Sequence, residues 1–194
     1  MSLKNSPIPL WSETWARKKK IPYQFFLSTE SVNNSAKEAA FKDFASPSLF
    51  IARSQTAGRG RHQKTWEDSD LMMAWLWEGA PTEYDVSGLD EKLAENLFYT
   101  VQKIWPSPQW KLKKPNDLYL KNQKTAGILL EVLDQKPKRA LIAGMGFNIF
   151  SHPPVPKAGH LGLIVSNILQ NDWNRFLDQL NFLWTEKAKK CLNF

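Results

Sequence analysis

The order of its apolar segments is what most limits how this chain can fold. Tyr23–Leu27 reads as a first strand, and Ser31–Phe44 turns helical, with Val32, Ala36, Ala39, Ala40 and Phe41 on one side. A strand over 49–54 follows, then a dense apolar strand, Leu71–Trp77. Leu89, Leu93, Leu97, Val101 and Ile104 or Trp105 recur every three to four residues, which predicts a helix over Asp90–Trp105, stopped by Pro106 and Pro108. Trp110–Lys114 alternates as a strand. Leu118–Leu120 and Thr125–Leu133 give two more strands, joined by a hairpin at Lys121-Asn122-Gln123, and Ala140–Phe150 another. Leu161–Leu169 is a short apolar segment. Asn171 or Asp172 then caps a last helix with Trp173, Phe176, Leu177, Leu180, Leu183 and Trp184 on its core face. Strands crowd the middle, with helices between and after them. That order predicts a mixed sheet with flanking helices, α+β or α/β.

A chain of 194 residues, 42% of them apolar, is long enough for one domain with a real core, and nine Trp and eleven Phe supply large surfaces to bury. The net charge of +7 favours anionic partners, nucleic acid included. A single cysteine, Cys191, allows no intrachain disulfide and fits a reducing compartment. The N-terminus has no apolar signal core, and no run of about 18 apolar residues predicts a spanning helix. These features predict a cytoplasmic location. Residues 1–20, ending in Arg17-Lys18-Lys19-Lys20, show no clear period and read as a solvated N-terminal arm, leaving 21–194 as the main domain.

Two segments carry the chemistry. The first runs from Arg53 to Trp66 and holds Arg53, Arg59, Arg61 and Lys64, with no acid between Asp43 and Glu67. Gly58 and Gly60 flank Arg59, so the backbone there is free to turn and to approach a ligand. A strand delivering a cationic loop suits a carboxylate, a phosphate or a pyrophosphate. The plain alternative is a solvated basic loop. The second segment is Lys113-Lys114-Pro115-Asn116-Asp117-Leu118, followed by Lys124-Thr125-Ala126-Gly127-Ile128-Leu129-Leu130-Glu131. Asp117 is the only acid between Gln109 and Gly127, amid five lysines. A lone carboxylate there suits Mg2+ or an incoming amine. Gly144 and Gly146, inside a strand, mark a close backbone approach.

Taken jointly, these blocks resemble the catalytic domain of the biotin–protein ligases, also called holocarboxylase synthetases. Gln55-Thr-Ala-Gly58-Arg59-Gly60-Arg61 with Trp66 resembles the family's glycine- and arginine-rich loop. Lys113 to Leu118 with Lys124 to Leu129 resembles its Lys-Trp-Pro-Asn-Asp block and downstream lysine, and Gly144-Met-Gly146-Phe-Asn148-Ile149 its Gly-Ile-Gly-Ile-Asn strand. The resemblance implies an α+β fold, a mostly antiparallel mixed sheet with flanking helices, like class II synthetases. It also implies a two-step reaction: ATP adenylates the carboxylate of biotin, and a lysine of a biotin carboxyl carrier domain then attacks the mixed anhydride. Arg59, Arg61, Lys124 and Asp117 would be catalytic, the cations neutralising carboxylate and triphosphate together. By analogy Ser28, Thr29 and Gln55 contact the biotin rings, with Gly58 and Gly127 completing that site together with Arg59, Arg61 and Lys124. Asn116, Asn148 and Trp66 belong to the ATP side, with Arg59, Arg61 and Lys124 again. Asp117 assists Mg2+ or deprotonates the acceptor amine. Biotin, ATP and the carrier domain are the implied partners, a homodimer is allowed, and no membrane is involved.

Four positions depart from the family pattern. Gln63, within His62-Gln63-Lys64, stands where a glycine is usual; Lys114 replaces the tryptophan; Glu30 replaces the asparagine after Ser28-Thr29; and Asp68-Ser69-Asp70 lacks a glycine. About twenty residues before the first strand are too few for a helix-turn-helix, so repressor-type DNA binding is not expected. The stop at Phe194 predicts that the small C-terminal barrel of many relatives is missing. The runner-up functions are a lipoate or octanoate ligase or transferase of the same fold, whose Arg-Arg-x-x-Gly-Gly-Gly loop is absent here, and a degenerate biotin-binding module.

Overall fold

A computed structural model describes residues 6–42 and 45–194. The sheet is mixed and mostly antiparallel, in the order β1-β2-β3-β7-β6-β5-β4. Its strands are β1 (Tyr23–Phe26), β2 (Ser48–Ala52), β3 (Leu71–Pro81), β4 (Trp110–Lys113), β5 (Asp117–Leu120), β6 (Gln123–Gln135) and β7 (Lys138–Phe147). Only β1 and β2 run parallel; the two-residue β8 (Leu192–Asn193) pairs the far end of β3. The four α-helices among the described residues are α1 (Ile8–Lys18), α2 (Val32–Ala39), α3 (Leu89–Ile104) and α4 (Gln170–Cys191).

The central strands alternate between two covered faces. Leu49, Ile51, Met73, Trp75, Trp77, Leu141, Ala143, Met145 and Phe147 share a core with α1, α3 and α4. Phe50, Ala52, Met72, Ala74, Leu76, Ala140 and Ile142 face α2. Strands buried on both sides read as continuous apolar runs, which is how β3 and β7 look in the sequence. On the three-helix side the tryptophans bury their bodies and satisfy their N–H groups. Trp75 donates to Asn181 Oδ1 (3.1 Å), Trp77 to Thr185 Oγ1 (3.3 Å) and Trp184 to the Leu93 carbonyl (3.1 Å).

Several boundaries differ from the expectation, each for a local reason. The supposed N-terminal arm is the helix α1, with Ile8, Ser12, Trp15 and Ala16 buried. Ser12 donates to the Ile8 carbonyl (2.8 Å) and accepts from Trp173 Nε1 (3.0 Å), while Trp15 donates to Asp178 (2.9 Å). The first five residues of that arm lie outside the described residues, as do Asp43 and Phe44 at the end of the expected second helix; α2 stops at Ala39. β7 ends at Phe147 rather than 150, because the backbone N–H groups of Ile149, Phe150 and Ser151 all turn onto Asp70 Oδ2. The last helix starts after Leu169 with no side-chain cap; Asp172 sits in its first turn and meets Arg175 instead. The β5–β6 turn is Lys121–Asn122, both at positive φ (51° and 63°), as the tight turn of a two-residue hairpin requires.

The short α2 leaves part of its face of the sheet uncovered. Past Ile142, β7 continues on that side as Gly144 and Gly146, and Gly127 of β6 lies directly across from Gly146. Three strand glycines therefore floor an open region at the N-terminal end of α2.

Candidate active site

Over that glycine floor lies a cavity of about 350 Å³, near the lower end of volumes that hold small ligands. The basic loop forms one wall. It is a small hairpin rather than a loose loop. Arg59 pairs with Thr65, Gly60 N donates to Lys64 O (2.7 Å), and Trp66 N donates to Gly58 O (2.9 Å). Its tip is a 3-10 turn, Arg61–Gln63, with His62 at φ 54°; the Gln63 side chain lies outside the described residues. The root of the loop is tied to the chain entering α2: Thr56 N reaches Thr29 O, and Ala57 N reaches Glu30 O (both 2.9 Å). Gly58 is buried, and a Cβ there would meet the Trp66 carbonyl and come within 2.8 Å of Gln55 Nε2. It is a packing requirement that seats Trp66.

The Trp66 indole lies across the glycine floor. A Cβ on Gly127 would stand 2.8 Å from its ring, and one on Gly146 would fall inside it. The Lys124 ammonium sits 4.9 Å from the ring centroid, a cation–π distance. The opposite wall is the β5–β6 hairpin. Lys124 Nζ pairs with Asp117 Oδ1 at 2.7 Å. Asn116 donates to the Ile128 carbonyl (2.6 Å), which knits the Pro115–Asp117 corner to β6.

The cavity therefore brings together Gln55, Arg59, Arg61, Trp66, Asn116, Asp117, Lys124 and Gly127, with Lys64 and Lys114 also on its wall. Ser28, Thr29, Gly58 and Asn148 stand outside that lining. Ser28 and Glu30 are exposed, and the Thr29 hydroxyl bonds Ser35 (2.9 Å). Asn148 is buried. Its Nδ2 donates to the Gly159 carbonyl (2.9 Å) and its carbonyl receives Leu161 N, so it moors the 158–161 segment that runs beside Lys124.

Five basic side chains, Arg59, Arg61, Lys64, Lys114 and Lys124, face a single carboxylate, Asp117, among the described lining residues. Four of the five are held by acids. Arg59 meets Glu131 (3.1 Å), Arg61 meets Asp90 (3.5 Å), and Lys114 meets Glu91 (2.5 Å) and Glu95 (3.6 Å), besides the Lys124–Asp117 pair. Glu131 is the central acid. Lys37 Nζ stands 2.5 Å from it, and Asn33 Nδ2 donates to it at 2.9 Å. Burial pushes the Glu131 carboxyl up, but the bonds from Lys37 and Asn33 and the charges of Lys37 and Arg59 outweigh it. The carboxyl ends below the usual range. Arg59 is 38% exposed, so its pair is worth only about 0–1 kcal/mol. Arg59 is thus free to turn to an anion in the cavity, and Lys37 and Asn33 still hold Glu131.

Sequence reasoning missed Glu131, Lys37 and the α2 entry, Ser31, Val32 and Asn33, all of which bear on the cavity. An acid inside the apolar strand β6 was a readable signal for Glu131. In the Asp68-Ser69-Asp70 stretch, Asp70 is buried. Asp68 accepts the Gln55 N–H (2.7 Å), and burial, opposed by that bond, pushes its carboxyl up.

The sequence and the fold both have counterparts among known proteins. The model of the Biotin/lipoate A/B protein ligase family matches residues 25–148. The bifunctional ligase/repressor BirA of Bacillus subtilis is 28% identical over 126 residues, 63% of this chain and 39% of that protein. BirA of Escherichia coli K12 is 32% identical over 105 residues, 51% of this chain and 32% of that protein. The chain spans less than half the length of these curated relatives. Among solved structures, the biotin protein ligase of Aquifex aeolicus in complex with biotin and ATP superposes with a TM-score of 0.67 at 22% identity, over 88% of this chain and 73% of that one. That of Leishmania major with biotinyl-5-AMP gives 0.65 at 20% identity, over 89% and 81%. At those identities the likeness is one of fold.

Proposed function

Because the chain belongs to the biotin/lipoate A/B protein ligase family, we propose that it is a biotin–protein ligase catalytic domain, which adenylates biotin with ATP and passes the biotinyl group to a lysine of a biotin carboxyl carrier domain. One observation carries this reading: two cationic turns far apart in the chain, at Arg59–Arg61 and at Asp117–Lys124, line the same glycine-floored cavity. Two anions that must react repel each other, and preorganised cations offset that cost where the charge develops.

In the first step a biotin carboxylate oxygen attacks the α-phosphorus, and the bond to the β-phosphate breaks to release pyrophosphate. Arg59 and Arg61 supply forked donors to the phosphates, and Lys124 a point charge between carboxylate and α-phosphate. The glycine floor lets a ligand lie against the strand backbone. In the second step the acceptor amine attacks the carbonyl, AMP leaves, and the amine gives up a proton. Asp117 serves there as base or amine-orienting group. Among the described residues no group of three or more His, Cys, Asp or Glu could hold a metal. Mg2+ carried by the triphosphate would find Asp117 as a cavity carboxylate, and phosphate-borne Mg2+ needs only one or two protein carboxylates. No helix of the described residues is long and apolar enough to cross a membrane.

Biotin-dependent ATP–pyrophosphate exchange tests the first step, and transfer of labelled biotin to a carrier domain tests the second. Exchange with lipoate or octanoate but not biotin would move the assignment within the family. Biotin binding with no exchange would make the chain a binding module.

A further inference from the structure

The cavity has a polar group that neither cationic turn explains. Asn33, one residue into α2, lies over Gly144 of β7 and lines the cavity, although its residue is only 3% exposed. A Cβ on Gly144 would occupy the place of Asn33 Oδ1, so the glycine admits this amide to the sheet surface. The orientation of the amide is set by its neighbours. Nδ2 donates to the Leu129 carbonyl (3.3 Å) and to Glu131 Oε2 (2.9 Å), both pure acceptors. Its oxygen therefore points to the other side, and among the described residues no hydrogen bond reaches it. That oxygen is open to the cavity rather than sealed in the core, so it is an acceptor presented to whatever enters. The neighbouring Gln55 is fixed in the complementary sense. Its Oε1 accepts the Val32 N–H (2.8 Å), which leaves its Nε2 as a donor. This end of the cavity thus holds a fixed acceptor, Asn33 Oδ1, and a fixed donor, Gln55 Nε2, on apolar surroundings that include Val32 and Met72.

We propose that Asn33 is a specificity-determining residue, whose Oδ1 accepts a hydrogen bond from an N–H of the head group of the acid and so selects a cyclic urea over an alkyl or dithiolane head. The proposal rests on the biotin reading and deepens it. A urea offers N–H donors beside a carbonyl acceptor, the complement of Asn33 and Gln55. A head with no N–H leaves the Asn33 oxygen unpaired and dry. Sites built to bond a donor reject analogues that lack it far more strongly than apolar pockets reject an extra methylene.

The test is acid-dependent ATP–pyrophosphate exchange with biotin and with octanoate, on the wild-type chain, Asn33→Leu and Asn33→Ser, with thermal melting of each. Asn33→Leu should raise KM for biotin by roughly 10- to 100-fold while kcat changes little, as loss of one buried hydrogen bond to a ligand does. Octanoate should be used no worse, or better. Asn33→Ser keeps an oxygen acceptor and should recover part of the biotin affinity; if Asn33→Leu fails to fold, the shift in the biotin-to-octanoate ratio in Asn33→Ser decides. An equal loss for both acids, or an unchanged KM for biotin, would mean that Asn33 serves only to hold Glu131, and the proposal would fall. Failure of the wild-type chain to activate biotin would overturn the underlying function as well, and shows before any substitution is made.

Discussion

Lys124→Ala separates what a lysine does for the fold from what it does for the reaction. Lys124 Nζ is 2.7 Å from Asp117 Oδ1, with 33% and 21% of the two side chains exposed. Exposed pairs contribute about 0–1 kcal/mol, and removal of one partner of a buried pair costs about 3–5 kcal/mol. This pair lies between the two limits, so the substitution should cost about 1–2 kcal/mol, mainly for the stranded Asp117 carboxylate. For a chain of this size that corresponds to a fall in Tm of about 2–8 °C. The backbone of Lys124 should hold its place, because its N–H and carbonyl are bonded to Lys157 O (2.6 Å) and Gly159 N (2.9 Å) whatever the side chain. Loss of a preorganised charge aimed at the transition state should lower the pyrophosphate-exchange rate about 100- to 1000-fold. The double variant Lys124→Ala with Asp117→Asn then discriminates: removing the stranded charge should restore much of the Tm and none of the exchange. Exchange above about a tenth of wild type in the single variant, or activity that returns with stability in the double, would refute the role given to Lys124.

Other predictions test the scaffold. Gly146→Ala should destabilise by about 1–3 kcal/mol in a urea melt, since its Cβ would fall within the Trp66 indole; an unchanged midpoint would remove Trp66 from the glycine floor. Trp15→Ala should cost about 3–5 kcal/mol by the same assay, because Trp15 is 2% exposed, and a loss under about 1 kcal/mol would mean that α1 does not dock. Stability should fall as pH drops below about 6.5, because burial, aided by the stacked His152, holds the His160 imidazole below its ordinary range; between its folded and unfolded values the unfolded chain binds more protons. His160→Gln should flatten that part of the Tm–pH curve, and a slope unchanged in the variant would place its origin elsewhere.

The sheet was legible because buried strands announce themselves. The runs at Leu49–Ala52, Leu71–Trp77 and Ala140–Phe147 hold no charge, and the alternation of Trp110–Lys113 marks an outer strand of the sheet. The helix α1 was not legible, although its buried Ile8, Ser12, Trp15 and Ala16 fall at i, i+4, i+7 and i+8. Ser12 interrupts its apolar stripe, and only the distant Trp173 N–H makes a serine acceptable there. The same limit hid Asp70: next to Asp68 it reads as a turn, and what buries it is a set of backbone N–H groups some eighty residues on. β8 is two residues of main-chain pairing after a helix and carries no side-chain signal. The cavity-lining residues that the sequence singled out, Arg59, Arg61, Asn116, Asp117 and Lys124, lie in or beside turns with unusual local chemistry. Those missed, Asn33, Lys37 and Glu131, belong to regular elements whose polar members look like solvated surface until the sheet and α2 are laid together.

The missed acids also change how the cationic loop works. Read from the chain, Arg53 to Trp66 is a block of positive charge with no acid inside it. In the fold, each of four cavity cations meets a carboxylate from another element: Glu131 from β6, Asp90, Glu91 and Glu95 from α3, and Asp117 from β5. The unliganded cavity is thereby close to neutral and its walls are tied to the sheet and to α3. An anionic ligand then exchanges ion pairs rather than creating them. The exchange is cheapest where the acid left behind keeps other partners, as Glu131 does with Lys37 and Asn33. It is costliest at Lys124, since among the described residues it is the one cation paired with Asp117. Under the proposed function, that asymmetry predicts that Arg59 turns to the ligand while Lys124 and Asp117 stay paired.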